Sequence, residues 1–292
     1  MKIKVDAAAK INLSLDITGR LDNGFHTLFM VMQSVSIFDR VTLETTDTGD
    51  IEIDCGGADL PEDKNNIAVK AAHRFFSEAG IKNPGLKISI EKHIPVSAGL
   101  AGGSADAAAV IEGLNMLTGA ELCRTALCSI GAQVGSDVPF CLCGGTKLAE
   151  NTGDRLTPLP DLKDCAIVLC KPVEGVSTAQ AYSDFDALVN PVHPDNEAIV
   201  KAMLESDLPA LCKNAANVFE QVITLNKVEL IRSALTDAGA CLSLMSGSGP
   251  TVLGIFIEKE KAEKARASLL ASGLADFCEI CKPVNYGVAV CS

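Results

Sequence analysis

The chain has 292 residues, of which 48% are hydrophobic and 21% charged, and its formal net charge is −12. This composition is that of a globular protein with room for two modest domains. The acidic balance argues against non-specific binding to nucleic acid or to an anionic membrane, because their phosphates would repel the chain. The sequence has no long apolar run typical of a membrane span and no signal peptide, so we expect a cytoplasmic protein without a membrane partner.

The first half of the chain predicts a mixture of strands and helices. Strands are predicted over 3–18, 30–37, 41–45 and 86–91, with a short turn at Phe38-Asp39-Arg40 between the second and the third. Asn65 and Asn66 are expected to cap a helix that ends at Gly80. A further helix is predicted over about 121–131. The pattern is α+β rather than a regular alternation of strands and helices.

A glycine-rich segment, P-V-S-A-G-L-A-G-G-S-A-D at 95–106, separates the strand at 86–91 from an alanine-rich helix. The first turn of a helix offers unpaired backbone N–H groups and a partial positive charge, and glycines let a phosphate approach them. The segment fits neither the P-loop pattern nor the dinucleotide fingerprint. The alternative is a tight turn before a helix with Ser104 as its N-cap. We favour a phosphate loop, because a turn rarely needs Gly99, Gly102 and Gly103 together.

The second half begins near Asp164, after a polar, proline-containing connection over 150–163. Strands are predicted at 165–170, 242–245, 251–257 and 277–281, and helices at 196–206, 208–224, 227–238 and 258–272. This order is typical of a ferredoxin-like domain. We therefore predict two domains, 1–155 and 156–292.

The 12 cysteines are expected to be reduced and to act as small buried hydrophobic residues. The C-x-x-C at 278–281 and the C-x-C at 141–143 lack a second pair at zinc-site spacing, so we predict no zinc site there.

Three segments resemble motifs of the GHMP kinase superfamily. The glycine-rich segment resembles its phosphate-binding motif, A-K-I-N-L at 9–13 its N-terminal motif, and M-S-G-S-G-P at 245–250 its C-terminal motif. Within the superfamily the chain most resembles the kinases that act on cytidine-diphosphate-linked methylerythritol. This resemblance is carried by A-K-I-N-L-S-L-D-I-T-G-R-L-D-N-G-F-H-T-L, V-G-S-D-V-P-F-C and G-V-S-T-A-Q-A-Y.

The resemblance implies a two-domain α+β GHMP kinase fold. Its N-terminal domain is of the ribosomal-protein-S5-domain-2-like type and binds ATP, and its C-terminal domain is ferredoxin-like and serves the substrate. The implied reaction is ATP-dependent phosphorylation of the 2-hydroxyl of the cytidylated methylerythritol, a step of the non-mevalonate isoprenoid pathway. ATP is the expected phosphoryl donor, Mg²⁺ its expected companion, and a monomer or weak homodimer the expected state.

Residue roles are carried over from the matched motifs. Asp137 is the implied general base and Lys10 its partner, although Asp137 alone could be a cap and Lys10 could reach the surface. The implied ATP-binding residues are Asn66, Lys92, Pro95, Gly99, Leu100, Ala101, Gly102, Gly103, Ser104 and Ala105. Asn66 could instead be only a cap, Lys92 could be a solvated charge at the end of a strand, and Ser104 could also contact the metal.

The implied substrate-binding residues are Asn12, Phe25, His26, Tyr182, Gly247 and Ser248. Phe25 and Tyr182 would stack on the pyrimidine, and His26 would pair with its edge. The segment Asn23-Gly24-Phe25-His26 departs from the Asp-Gly-Tyr-His that is usual in the family, so the hydroxyl of the tyrosine is missing. Tyr182 could merely pack, and 246–249 could be a simple hairpin loop.

Three other functions remain open at this point. Another GHMP-type enzyme, such as a homoserine or mevalonate kinase or the related decarboxylase, would not need the Gly-Phe-His element, because its substrate has no cytosine. A nucleotide-binding regulator would not need both Lys10 and Asp137. An RNA-binding module would need a basic patch with aromatic residues, which this acidic chain lacks.

Overall fold

The computed structural model describes residues 1–162 and 165–291, so the predicted start of the second half near Asp164 lies outside the described residues. The strands are β1 (Lys2–Arg20), β2 (His26–Thr45), β3 (Ile51–Asp54), β4 (Leu86–Glu91), β5 (Thr146–Asn151), β6 (Arg155–Pro158), β7 (Ala166–Lys171), β8 (Leu242–Met245), β9 (Val252–Phe256), β10 (Phe277–Cys281) and β11 (Val288–Cys291). The helices are α1 (Ile67–Glu78), α2 (Gly102–Thr118), α3 (Arg124–Ala132), α4 (Val138–Cys143), α5 (Thr178–Asp186), α6 (Asn196–Leu204), α7 (Leu208–Asn214), α8 (Asn226–Asp237) and α9 (Lys259–Ser272).

The first sheet is built around the long antiparallel hairpin of β1 and β2. Its strand order is β11-β1-β2-β4-β3. In addition, β5 pairs with residues 28–33 of β2 and with β6. Helix α2 contacts β1 and β2, and helix α1 packs on α2. Because five of the ten buried residues of α2 are alanine or glycine, the helix can approach the sheet closely. The sheet thereby fixes the position of the first turn of α2, where the glycine-rich loop ends.

The turn predicted at Phe38-Asp39-Arg40 is wrong. Strand β2 continues through these residues, which pair with β1, and the irregularity is a bulge between Val35 and Phe38. A bulge interrupts the alternation of apolar and polar residues much as a turn does. Asp39 is consequently buried inside the fold rather than exposed on a loop.

The second sheet has the order β10-β7-β9-β8, with every neighbouring pair antiparallel. Helices α8 and α9 pack on this sheet. This order confirms the ferredoxin-like prediction, and the predicted bounds of β8 and β10 match the structure. The helix predicted over 208–224 is wrong in extent, because α7 ends at Asn214 and a separate 3₁₀ turn follows at Val218–Gln221.

The chain returns to the first sheet at its C-terminal end. Strand β11, which the sequence analysis missed, pairs antiparallel with β1 over residues 4–7. Just before it, Gly287 accepts a hydrogen bond from the Ala8 N–H (2.7 Å), and Val284 donates one to the Ser34 carbonyl (2.9 Å). Residues near both ends of the chain therefore lie in one sheet. The division at 155/156 stays a prediction.

Aliphatic side chains dominate the core, together with a few fully buried aromatic ones such as Phe75, Phe140 and Phe256. The expectation that every cysteine is reduced is wrong for one pair, since Cys170 and Cys278 form a disulfide bond. They are direct partners in the register of β7 and β10, with a Cα–Cα distance of 4.3 Å. Among the described residues, no helix is both long and apolar enough to cross a membrane.

Candidate active site

A cavity of about 510 Å³ opens where the first sheet, the glycine-rich loop and the β8–β9 loop meet. Its wall brings together many of the predicted site residues, namely Lys10, Asn12, Lys92, Pro95, Gly99, Ala101, Gly102, Gly103, Ser104, Asp137, Tyr182, Gly247 and Ser248. The wall does not include Asn66, Leu100, Ala105, Phe25 or His26. Leu100 and Ala105 lie in the buried core behind the loop.

The glycine-rich loop ends in an uncapped helix. Ser104 is not the N-cap, because α2 already begins at Gly102 after Ala101, which has a left-handed backbone (φ +57°). Alanine offers no side-chain acceptor, and no side chain caps this end of the helix. The first N–H groups of α2 are therefore available to a ligand, and an anion is the ligand that such groups attract.

The β8–β9 loop docks directly on the glycine-rich loop. A Cβ atom at Gly99, whose φ is +74°, would collide with the Ser246 carbonyl. The Ser246 hydroxyl donates to the Gly99 carbonyl (3.2 Å) and accepts from the Asn12 N–H (3.2 Å). The 246–249 segment connects two paired strands and is thus a hairpin loop, and it also joins β1 to the glycine-rich loop.

Lys10 and Asp137 form an ion pair in the wall of the cavity. Lys10 Nζ lies 3.7 Å from Asp137 Oδ2 and donates a hydrogen bond to Asn12 Oδ1 (2.7 Å). Lys10 is buried, so the alternative in which it reaches the surface is wrong, whereas about a third of the Asp137 side chain stays exposed. Asp137 precedes α4, yet its side chain makes no capping hydrogen bond. Its carboxylate is therefore held by a cation and open to the cavity.

Asn12 sits behind this pair. Its side chain is fully buried, and while Oδ1 accepts from Lys10, Nδ2 has no hydrogen-bond partner among the described residues. A buried amide N–H without an acceptor is costly, so it indicates a place for an acceptor on a ligand.

Lys92 is not a solvated charge, since its ammonium is buried between two carboxylates. Its Nζ donates to Asp39 Oδ2 and to Asp106 Oδ2 (2.7 Å). Burial, followed by the charge of Asp39, raises the pKa of Asp106 to about 8 in spite of the lysine. Although burial opposes it, the pair of carboxylates raises the pKa of Lys92.

Asn66 acts as a helix cap. Its Oδ1 accepts from the Ala68 N–H (2.9 Å) at the start of α1, which confirms the predicted cap, and its Nδ2 donates to the Pro61 carbonyl (2.7 Å). Asn66 itself does not line the cavity, but Leu60, which precedes Pro61, and Ile67, which follows Asn66, do.

An aromatic stack borders the other side of the cavity. The His26 ring lies on Tyr182 (4.7 Å between centroids, 20° between planes), and Tyr182 meets the edge of Phe219 (4.9 Å). His26 Nε2 is 2.7 Å from Asp186 Oδ1, and Arg20 pairs with the other oxygen of Asp186 (3.1 Å). Burial raises the pKa of Tyr182 to about 12, so its hydroxyl keeps its proton at neutral pH.

Phe25 does not take part in this stack. It lies in the turn after β1 with 64% of its surface exposed. Sequence reasoning also missed Asp186, because helix α5 was not predicted, and it missed Arg20 at the end of β1 and Phe219 in the 3₁₀ turn. The Ser177 cap, which accepts from the Gln180 N–H, was the available signal, and a helix there places Tyr182 and Asp186 one turn apart.

Comparison with known proteins supports the GHMP kinase fold that the sequence motifs imply. Residues 66–145 match the GHMP kinase N-terminal domain and residues 199–275 match the GHMP kinase C-terminal domain. The chain belongs to the GHMP kinase family. Members of this family phosphorylate small-molecule alcohols with ATP, so the predictions of an ATP-dependent kinase and of a two-domain GHMP fold are confirmed.

Curated relatives of this GHMP kinase align over most of its length. It is 45% identical to the 4-diphosphocytidyl-2-C-methyl-D-erythritol kinase of Acetivibrio thermocellus, over 89% of this chain and 92% of the relative. It is 43% identical to the kinase of that name from Exiguobacterium sibiricum, over 95% and 96% of the two chains.

Solved structures agree on the fold. A crystal structure of 4-(cytidine 5'-diphospho)-2C-methyl-D-erythritol kinase is 30% identical with a TM-score of 0.79, covering 95% of this chain and 98% of the other. A homoserine kinase from Cytophaga hutchinsonii has a TM-score of 0.81 at 21% identity, covering 99% and 97%. At 21% identity, the likeness to the homoserine kinase shows a shared fold and nothing about the substrate.

Proposed function

We propose that this GHMP kinase transfers the γ-phosphoryl group of ATP to the 2-hydroxyl of 4-diphosphocytidyl-2-C-methyl-D-erythritol, in the non-mevalonate pathway to isoprenoids. The observation that carries the choice of substrate is the 45% identity, over nearly the full length of both chains, to a kinase of that name. The pairing of Lys10 with Asp137 inside the cavity supports the chemistry. We also propose a cytoplasmic location and a monomer or weak homodimer.

Asp137 is the proposed general base. The substrate hydroxyl gives its proton to the Asp137 carboxylate while its oxygen attacks the γ-phosphorus, and ADP leaves as the bond to the β-phosphate oxygen breaks. Lys10, 3.7 Å away, pairs with the carboxylate and adds positive charge near the transferred group. Asn12 fixes Lys10 through its Oδ1 and offers its free Nδ2–H to a substrate oxygen.

The first turn of α2 is the proposed seat of the ATP phosphates. The uncapped N–H groups that begin at Gly102 can bind phosphate oxygens, and the left-handed residues Gly99 and Ala101 shape the loop around them. Pro95 and Ser104 complete its wall, while Leu100 and Ala105 anchor it in the core. Asn66 supports this site from outside the cavity wall, by starting α1 beside Ile67.

Mg²⁺ is the proposed companion of ATP. Within the described part of the chain, no group of three or more His, Cys, Asp or Glu could hold a metal ion on its own. Mg²⁺ in kinases is commonly bound by substrate phosphates and only one or two protein groups, and Ser104 and Asp137 line the cavity at the proposed phosphate site. The bound ion would supply neutralisation of the phosphate charge.

The cytidine end is assigned to the aromatic side of the cavity. Tyr182 offers a ring face and His26 a polar ring edge, held by Asp186. Because His26 now covers one face of Tyr182, a stacked pyrimidine must displace it or extend the stack. Phe25 reaches the base only if its exposed turn folds over the cavity. Gly247 and Ser248 close the side that faces Thr178, whose hydroxyl lies 2.7 Å from that of Ser248.

A coupled assay of ADP release tests the proposal. With ATP and Mg²⁺, we expect turnover with the cytidylated methylerythritol and none with its uncytidylated phosphate, homoserine or mevalonate. Turnover with homoserine or mevalonate instead would contradict the cytidine site and leave a GHMP kinase of another specificity.

A further inference from the structure

A buried cluster of one ammonium and two carboxylates lies directly behind the glycine-rich loop. The exposed fractions of the side chains are 9% for Lys92, 0% for Asp39 and 2% for Asp106. Taking an ammonium and its carboxyl partners out of water is costly, and well-packed apolar residues often do as well for stability. Such a cluster therefore calls for a reason other than stability.

Asp39 holds the start of the loop. Its Oδ1 accepts hydrogen bonds from the backbone N–H groups of His93 (2.6 Å) and Ile94 (2.8 Å), the residues that precede Pro95. Its Oδ2 accepts from Lys92 Nζ. One carboxylate on β2 thus fixes the backbone between the end of β4 and the loop.

Asp106 holds the other end. It lies on α2 one turn after Gly102, and its Oδ2 accepts from the same ammonium. A Cβ atom at Gly102 would lie 3.3 Å from Lys92 Nζ and 3.0 Å from Ile94 Cγ2, so these side chains press against the first residue of the helix. Lys92 therefore links the residues before the loop to the helix after it.

The cluster also reaches the cavity, because Lys92 lines its wall beside Gly102. An ammonium has three N–H donors, and within the described residues Lys92 spends two of them on the carboxylates. The third is free for an oxygen or nitrogen of a bound nucleotide.

We propose that Asp39 and Asp106 are positioning residues for the nucleotide: through Lys92 and the backbone N–H groups of 93–94 they fix both ends of the phosphate loop and hold the lysine at the cavity wall. The proposal rests on ATP being the phosphoryl donor, but not on which alcohol is phosphorylated. It predicts that changes in the cluster act on nucleotide affinity and leave the alcohol site unaffected.

The test is calorimetric binding of a non-hydrolysable ATP analogue with Mg²⁺, together with the KM of each substrate. Asp106→Ala, which suits the alanine-rich helix, removes one acceptor from Lys92, and we expect about tenfold weaker binding, the scale of one hydrogen bond to a charged group. Asp106→Asn keeps an oxygen that can accept from Lys92 and should stay within about threefold of the unsubstituted chain. Asp39→Asn turns an N–H toward Lys92, and we expect a loss of at least about tenfold.

Asp6→Asn is the matched control. Asp6 pairs with Arg40, the residue next to Asp39, on the same strand pair but away from the cavity wall (2.7 Å from Oδ1 to Nε). We expect it to lower stability slightly without changing nucleotide affinity. If Asp39→Asn does not fold, the two Asp106 variants decide the matter.

Two results would overturn the proposal. One is a folded Asp106→Ala variant that binds the analogue as well as the unsubstituted chain. The other is an Asp106→Asn variant as weak as Asp106→Ala, which would exclude an effect through Lys92. Failure of the unsubstituted chain to bind the analogue would overturn ATP as the donor and this proposal with it, whereas a different alcohol substrate would overturn the proposed function alone.

Discussion

Lys10 and Asp137 combine opposite exposures, and this explains how the pair can do chemistry. The lysine is buried and held by Asn12, so its charge is fixed in place, while the carboxylate remains open to a substrate. A separation of 3.7 Å is longer than a strong hydrogen bond. The carboxylate oxygens thus stay available to the substrate hydroxyl.

Replacing either residue should abolish most of the turnover. We expect Asp137→Ala and Lys10→Ala each to lower kcat at least about a hundredfold, since a general base and a positioned charge each contribute on this scale. Steady-state kinetics would measure the loss. Lys2→Ala on the same strand, which breaks only an exposed ion pair with Glu44, is the control and should leave kcat unchanged. A near-normal kcat in either active-site variant would remove that residue from the mechanism.

Asp186 should matter for the cytidylated substrate rather than for ATP. Its carboxylate binds His26 and Arg20 at once, so Asp186→Asn weakens the hold on the imidazole that we assign to the base. We expect the KM of the cytidylated alcohol to rise about five- to tenfold with little change in kcat or in the KM of ATP. Asp184→Asn, on the same helix but bound to Gln180, is the matched variant that should have no such effect. An equal rise in both variants would contradict the role of Asp186.

At the scale of elements, the site is made of loops that depend on each other. The 246–249 loop belongs to the second sheet, yet its glycines lie against Gly99 and β1. Asn217 supports it from below, since its Nδ2 donates to the carbonyls of Met245 and Gly247 (2.7 Å each). The phosphate loop is therefore shaped from both halves of the chain.

Gly247→Ala tests this dependence. Gly247 has φ +59°, and its Cβ would lie 3.3 Å from the Gly99 carbonyl oxygen and 3.5 Å from Asn12 Oδ1. The left-handed backbone alone costs about 1–2 kcal/mol, and the contacts push on the site, so we expect kcat/KM for ATP to fall about tenfold or more. Gly273→Ala has the same backbone cost (φ +68°) with nothing within 4 Å, and should lower the melting temperature only. Equal kinetics in the two variants would mean that the loop contact is unimportant.

Short sequence patterns correctly predicted those strands and helix caps that depend only on residues close together in the chain. Strands β8 and β10 and the Asn66 cap follow from alternation and from an amide acceptor. Local patterns did not predict the first residue of α2, because the helix begins after an alanine in the left-handed conformation, which alanine rarely adopts. The burial of Asp39 was not predicted either, because the lysine that pairs with its carboxylate lies 53 residues away in the chain.

The predicted site shows the same division. The motifs placed Lys10, Asn12, the glycines and Asp137 in one cavity, as the structure does. They did not separate Phe25 from Tyr182, because the side of a turn on which a ring lies is set by tertiary packing. Nor did they find the partners of His26 and Lys92, which come from distant parts of the chain.

At the scale of the whole molecule, the segment before β11 supports the catalytic half. Gly144, which follows α4, lies against the backbone of Gly287, and a Cβ at Gly287 would collide with the Cys141 carbonyl. Because α4 begins directly after Asp137, residues 285–287 help to fix the helix that carries the proposed base.

Gly287→Ala should therefore destabilise the protein and disturb catalysis together. The new methyl group has no free space, so we expect the free energy of unfolding to fall by about 2 kcal/mol or more, with a lower kcat in the fraction that remains folded. Denaturant unfolding and kinetics would measure both effects. Gly175→Ala, where nothing lies within 4 Å, is the control. A stable Gly287→Ala variant with normal kcat would show that α4 tolerates movement of this segment.

The return of β11 also has a consequence for how the protein is made. During translation β1 and β2 emerge first, but one edge of β1 must wait for a partner until the ferredoxin-like half has been synthesised. An unpaired strand edge is prone to pair with other chains. The nascent kinase therefore carries an open edge on the ribosome for most of its synthesis, and binding of a chaperone to residues 4–7 would be most useful in that interval.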